Sequence, residues 1–417
     1  MRHTLVLWHR WVGLAMAAFL IISGFTGAII AFEDELDAWL NPQLFRPAWQ
    51  PDKPVLDAYR LQALAQQQAP AGTLVDEVLF KLPDAEVASG LTERVLAFRL
   101  SPADPLATET VADQLFIDPQ TGARLGARKY GESPFQRETL ITFLYRLHYS
   151  LALPGKSGHL IMGIVAVLWT LDTFVAFALT LPRRQANAKT RFWQRWRPAW
   201  LVKWQASATR INFDLHRALG LWLCTVLLIF AWSSVMFNLR DQVYLPIMSK
   251  VMPFDLSWRS VPKLEQPLDR LPMPWPQAHH MARQAMQGFA QARGLKIDFE
   301  DRLRLDRVRG VYMYSVHSSA DLREDRGNTA ILIDAQTGAL KGWWLPTQGE
   351  AGNTFSNWLG ALHMGQVFGL PYRIFVCLTG LALVAISVTS VLIWSRKRAG
   401  KKVMKPSVRK AGLVSKC

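Results

Sequence analysis

Residues 9–32 read HRWVGLAMAAFLIISGFTGAIIAF, from His9-Arg10-Trp11-Val12-Gly13-Leu14 to Phe32, and this stretch decides the fold. A basic pair opens it, and residues 11–32 then carry no charge. About 20 apolar residues cross a hydrocarbon core of roughly 30 Å, so the run is long enough for one membrane-spanning helix. Runs of the same kind recur at 160–181, 218–239 and 374–394, and Asp172 is the one charged residue in them.

The charges between these runs orient them. Residues 33–158 hold 17 acids and 12 bases, and residues 239–370 hold 13 acids and 15 bases. Of the 32 acids, only Asp172 and Asp214 lie elsewhere. The remaining bases, Arg373 apart, fall in the N-terminus, the 182–217 loop and the C-terminal tail. The positive-inside rule puts these basic segments in the cytoplasm and the two long segments outside. The net charge of +16 would by itself suggest nucleic acid. Its concentration beside apolar runs reads instead as anchoring to anionic lipid, and no nucleic-acid partner is expected. Arg2 and Arg10 flank the first run as in a signal peptide, but its length favours an uncleaved anchor. Cys224 and Cys377 lie inside spans and Cys417 is terminal, which excludes disulfides in the outer segments and a CxxC zinc or c-type haem site.

The expected layout is therefore a four-helix transmembrane bundle with two extracytoplasmic α+β domains. Helices occupy 1–32, 159–181, 218–239 and 371–395. The outer domains occupy 33–158 and 240–370, and the loop 182–217 and the tail 396–417 are cytoplasmic.

The chain reads as an internal duplication. His9-Arg10-Trp11-Val12-Gly13-Leu14 is answered by His216-Arg217-Ala218-Leu219-Gly220-Leu221. Ile117-Asp118-Pro119-Gln120-Thr121-Gly122-Ala123 is answered by Ile333-Asp334-Ala335-Gln336-Thr337-Gly338-Ala339. Leu144-Tyr145-Arg146-Leu147-His148 is answered by Leu359-Gly360-Ala361-Leu362-His363. Three matches in the same order imply two copies of span, domain and span. Each domain reads as one helix, over 56–68 and 277–293, followed by strands at 75–82, 94–100 and 114–117 and at 302–305, 311–316 and 330–333. The Asp-x-x-Thr-Gly element is a tight turn.

Four of the nine histidines occupy equivalent positions in the two copies: His9 with His216, and His148 with His363. His9 and Gly13, like His216 and Gly220, are four residues apart and share a helix face. A glycine one turn from a ligand clears room for a flat macrocycle, and Arg10 and Arg217 stand ready to pair with its carboxylates. Imidazole is the usual protein ligand of haem iron, and helix bundles build cofactor sites from facing helices. The alternative is interfacial anchoring by polar residues at the boundary. His148 lies on an apolar helix face with Leu144, and there the alternative is a hydrogen-bonded core histidine. His159, followed by Gly163, competes with His148 but has Tyr372-Arg373 in the matching region of the second copy. Asp172, near mid-membrane, bonds an imidazole, relays protons, or is a neutral acid bonded to Thr170 or Ser234. His3, His279, His280 and His317 have no repeat partner. Trp343, Trp344 and Trp358 near the outer mouth either stack on a ligand or belong to an interfacial belt.

The ordered set HRWVGL, IDPQTGARLG, LHYSLALPGKSG, HRALGL, IDAQTGALKG and ALHMGQVFGLP resembles the PepSY-associated transmembrane proteins of bacterial inner membranes over residues 5–398. Within that family the chain is most similar to the iron-regulated members, including ferric-siderophore (ferrioxamine-type) reductases. The resemblance implies two b-type haems in a four-helix bundle, two periplasmic PepSY-like modules, and His9, His148, His216 and His363 as the family histidines. The departure is His159, where the family has an arginine. The expectation is a haem-containing inner-membrane oxidoreductase passing electrons from a cytoplasmic or quinol donor to a periplasmic ferric siderophore, with release of Fe(II). The rival readings are a peptide- or protease-binding regulatory protein and a siderophore or iron transporter.

Overall fold

The computed structural model describes residues 1–83, 94–104, 107, 109–183 and 190–403, with side chains as far as 399. The last residues of the basic tail and 184–189 of the basic loop therefore lie outside the described residues.

The chain begins with α1 (Arg2–Ile30), uninterrupted through the first apolar run. Two short helices follow, α2 (Glu33–Leu40) and α3 (Pro42–Phe45). Helix α4 (Ala58–Gln68) is capped by Asp57, whose Oδ1 accepts from the backbone N–H groups of Tyr59 at 2.9 Å and Arg60 at 3.3 Å. Strands β1 (Thr73–Leu74), β2 (Glu77–Leu79), β3 (Leu96–Arg99), β4 (Ser101–Pro102), β5 (Gln114–Ile117) and β6 (Arg124–Arg128) come next. The sheet β3-β5-β6 and the helix α4 enclose a core of Leu61, Ala65, Val75, Leu96, Phe98, Leu115 and Ile117. Arg128 donates to both oxygens of Asp37, at 2.9 and 2.6 Å, and both side chains are buried. That pair ties the sheet to the helix leaving α1.

Helix α5 (Arg137–Ser150) runs into α6 (Ser157–Thr180) through a turn with Leu151 and Ala152 at positive φ. After α7 (Phe192–Trp196) come α8 (Ala208–Trp222), α9 (Cys224–Asn238) and α10 (Leu245–Met248). The second helix-and-strand unit holds α11 (Trp275–Arg293), β7 (Ile297–Asp306), β8 (Val311–Ser318), β9 (Thr329–Asp334) and β10 (Leu340–Trp344). Helices α12 (Ala351–His363) and α13 (Gly369–Val403) follow. The Asp118 and Asp334 turns are built alike. In each, the aspartate Oδ1 accepts from the N–H groups two and three residues on, and a glycine closes the turn at φ near +70°, Gly122 at 71° and Gly338 at 73°.

Among the described residues, α1, α6 and α13 are each long and apolar enough to cross a membrane. The run expected as one transmembrane helix over 218–239 falls in two helices, α8 and α9, bent by 69° about Leu223 and together apolar enough for one broken span. Gly220 stands just before the break, and glycine resists bending least. Trp222 donates its indole N–H to the Trp200 carbonyl at 3.0 Å, fixing the end of α8 against the basic loop. Helix α1 packs against α13, α6 and α5, and α6 packs against α9. Gly24 and Gly380 face each other: a Cβ on Gly24 would stand 2.7 Å from the Gly380 carbonyl oxygen, and one on Gly380 would stand 2.6 Å from that of Gly24. Small residues permit such close backbone contact in membranes.

The two helix-and-strand units are not separate sheets. The second sheet runs β10-β9-β8-β7-β2, so β2, from the first unit, forms its edge through antiparallel pairing with β7. Val78 is fully buried in the second core, among Leu303, Tyr312, Tyr314, Ile331 and Met286. Arg307 clamps the junction by donating to both carboxylate oxygens of Asp76 at 2.8–3.0 Å.

Candidate functional site

Two pairs of imidazoles meet between the helices. His9 on α1 and His216 on α8 have ring centroids 6.0 Å apart, near the end that carries the basic loop. His148 on α5 and His363 on α12 have centroids 6.2 Å apart, near the end that carries the sheets. The four histidines of the sequence repeat are thus paired as the sequence reading pairs them.

Every one of these rings makes its hydrogen bonds through Nδ1. His9 Nδ1 bonds Asp172 Oδ2 at 2.9 Å. His216 Nδ1 donates to the Ile386 carbonyl at 3.0 Å, with Thr389 Oγ1 at 3.3 Å. His148 Nδ1 donates to the Ser23 carbonyl at 3.0 Å, with Thr26 Oγ1 at 3.1 Å. His363 Nδ1 meets Ser233 Oγ at 2.5 Å. A carbonyl only accepts, so Nδ1 of His216 and of His148 carries the proton and Nε2 carries the lone pair. Ser233 already donates its hydroxyl to the carbonyls of Ile229 and Phe230, so it accepts from His363 and fixes the same tautomer. Outer-shell partners of this kind are what orient metal-ligating histidines. Burial pushes His148 down to about 4, and burial together with neighbouring His148 pushes His363 down to about 3, so both rings are neutral.

The spacing fits a shared metal. An imidazole nitrogen binds a first-row metal at about 2.0–2.1 Å, and the ring centre lies about 1.1 Å further on, so two opposed ligands have centroids about 6.2 Å apart. Among the described residues no group of three or more His, Cys, Asp or Glu is placed to hold a bare metal ion. Each pair offers two imidazoles, the number that would hold the metal of a flat macrocycle. Beside the first pair there is room for one: a Cβ on Gly13 or Gly220 would meet nothing within 4 Å. At the second pair, Gly27 lets His148 lie against α1, since a Cβ there would stand 3.0 Å from the ring, and Phe230 and Phe237 flank His363 at 5.0 and 5.4 Å.

Other expected residues divide. Asp172 is buried and bonds an imidazole rather than the hydroxyls of Thr170 or Ser234, which donate to the carbonyls of Ala166 and Phe230. Arg10 makes no hydrogen bond or ion pair among the described residues, which leaves its guanidinium available. Arg217 donates through Nη2 to Asp214 Oδ1 at 2.8 Å and to the Pro198 carbonyl, while its Nε is buried without a partner. His159 donates to Asn238 Oδ1 at 3.1 Å and lies 5.2 Å from the Tyr149 ring, with no second imidazole against it. Its glycine, Gly163, is filled by Leu239, whose Cγ is 2.4 Å from the ideal Cβ position. Trp343 and Trp344 pack into the second unit, against Phe289 and Trp258, while Trp358 packs on Phe368, so they form no common face. His279 is bonded to Tyr59 and His317 to Asp298.

One residue escaped the sequence reading. Arg240 follows the end of α9, three residues after Phe237, and its Nε and Nη2 are buried without a hydrogen-bond partner. Burial and the like charge of Arg259 depress its pKa. No repeat marks it: Arg240 lies in the second copy, and the matching position of the first copy is the acid Glu33.

The family model for the PepSY-associated TM region matches residues 6–397. No curated protein matches the chain.

Proposed function

Since the chain belongs to the family of PepSY-associated transmembrane proteins, we propose that it is a haem-carrying oxidoreductase of the bacterial inner membrane, passing electrons outward to reduce a ferric siderophore in the periplasm. The observation that carries this reading is the double pairing of imidazoles at 6.0 and 6.2 Å, one pair toward each end of the helices, with every Nε2 left for a metal. We read α8 and α9 as one broken span, so that four spans form a bundle and the sequence repeat is a true duplication. Both termini and the basic loop are then cytoplasmic, and the sheets periplasmic, by the positive-inside rule.

In this reading His9 and His216 hold b-type haem on the cytoplasmic side, and His148 and His363 hold a second on the periplasmic side. Haem supplies one-electron chemistry at both ends of the bundle. Arg10 and the unpartnered Nε of Arg217 would receive a carboxylate on the inner side, and the unpartnered N–H groups of Arg240 on the outer side. The hydrogen bonds to Nδ1 hold each imidazole in the ligating tautomer, and the packed apolar side chains keep bulk water from the path. A quinol or a reduced cytoplasmic carrier is the electron source. The substrate is Fe(III) in a hard oxygen chelate, and Fe(II) suits such ligands less well and leaves.

Purified protein should show a low-spin b-type spectrum with about two haems per chain and redden on dithionite. His9→Ala and His363→Ala should each lose about one. Colourless protein from haem-replete cells would sink the reading, as would two single variants that both retain the full haem content.

A further inference from the structure

The two imidazole pairs are not electrostatically alike. On the basic-loop side, His9 bonds a carboxylate: Asp172 Oδ2 lies 2.9 Å from Nδ1, and the Asp172 side chain is only 7% exposed. Its other oxygen, Oδ1, is buried with no partner, so the carboxylate directs its hydrogen bonding at the imidazole alone. On the sheet side, both imidazoles bond neutral groups only, the Ser23 carbonyl and the hydroxyls of Thr26 and Ser233.

The surrounding charges differ as well. Asp214, two residues before His216, is paired with both Arg210 and Arg217, and Arg217 Nε is buried without a partner. On the sheet side Arg373 is paired with Glu35, while Arg240 keeps buried donors without a partner. Asp172 is thus, among the described residues, the carboxylate that touches a paired imidazole, while the sheet-side imidazoles bond a carbonyl and hydroxyls. Arg10 and Arg217 act against this at the first end, but neither bonds a histidine, whereas Asp172 bonds one.

Resting on the haem reading above, we propose that Asp172 makes the His9–His216 site the lower-potential site of the two, so that an electron shared between them resides on the periplasmic side. A carboxylate accepting from Nδ1–H gives the imidazole imidazolate character, and that raises ligand basicity. A more basic axial ligand and a nearby negative charge favour Fe(III) over Fe(II). Neutral hydrogen-bond partners do so less, and the Arg240 guanidinium favours Fe(II). One electron leaves ferrous iron on the Asp172 side, which becomes ferric, and enters ferric iron on the other side, which becomes ferrous. No proton or ligand moves with it. Asp172 is a positioning residue, acting through His9.

Redox titration of the full-length protein, followed optically, tests this. The wild type should resolve two components. His148→Ala, keeping the inner site, should titrate at the lower potential, and His9→Ala, keeping the outer site, at the higher. In Asp172→Asn the lower component should rise by at least tenfold in its reduction equilibrium, about 59 mV for one electron, with the higher one unmoved. Asp172→Glu, which retains the charge, should restore most of the difference. Two components of equal potential overturn the proposal, as does a lower-potential survivor in His9→Ala. An unmoved lower component in an Asp172→Asn protein with both haems does the same. If Asp172→Asn loses the inner haem, the two histidine variants decide. Colourless wild-type protein instead overturns the haem reading itself, a different result from coloured protein with the wrong order of potentials.

Discussion

At the scale of single residues, the side chains around the histidines do as much as the histidines. A neutral imidazole has two tautomers, and a partner on Nδ1 selects the one that ligates through Nε2. Here the partners are a carboxylate, two carbonyls and a hydroxyl, all supplied by neighbouring helices. A different titrating residue stands where α1 ends. Burial raises the Glu33 carboxyl from its ordinary range to about 7, against a 2.9 Å hydrogen bond donated by Tyr130. A folded state that holds this proton to about pH 7, while the unfolded chain loses it near 4.5, binds more protons in between. Stability therefore falls as pH rises through that window. The fall should be about 1–3 kcal/mol, discounted for partial exposure. Thermal melts in detergent should show this slope in the wild type and its loss in Glu33→Gln; an equal slope in both would refute it. The histidine pairs were legible in the sequence because a repeat put each histidine in two places at once. The hydroxyls of Thr26 and Ser233 were not, since a serine or threonine in a span ordinarily bonds back to its own helix, and these two do that as well. The bond of Arg217 to Asp214 was not legible either: Asp214 lies one turn earlier on the same helix and reads as a surface pair.

At the scale of elements, the closest contact is the crossing of α1 and α13 at Gly24 and Gly380. The atoms that a new side chain would strike are backbone oxygens, which cannot rotate away. Gly380→Leu should therefore force the helices apart at a cost of about 1–3 kcal/mol, read as a lower melting temperature in detergent; an unchanged melt would show that the helices slide freely. This crossing also carries His148 and His216, through the carbonyls of Ser23 on α1 and Ile386 on α13. Helix existence was legible from apolar length, and the strand over 114–117 from alternation and from the turn that follows it. The break at Leu223 was not: composition is continuous across it, and a bend of 69° depends on what packs at its two sides. The short amphipathic helices α5 and α12 carry the sheet-end histidines, and their apolar faces were readable while their destination between the longer helices was not.

At the scale of the whole molecule, β2 leaves its own unit to complete the sheet of the other. A three-residue strand carries too little information in its sequence to name a partner. Its pairing was invisible because edge addition is decided by backbone groups, which every residue supplies alike. Arg307→Met should expose this junction. Removing one member of a buried pair leaves Asp76 without its countercharge, at a cost of about 3–5 kcal/mol. Hydrogen exchange at residues 77–79 should accelerate well beyond that of β8 and β9; unchanged protection there would show that the strand is held by its apolar contacts alone.

The shared sheet makes the peptide link between the two halves redundant. Helix α1 lies against α13 and β2 against β7, so each half is stapled to the other at the membrane and again outside it. A gene cut in two within the basic loop would still encode a heterodimer with both seams intact. A descendant of such a protein could exist as two subunits, each supplying one imidazole to every pair.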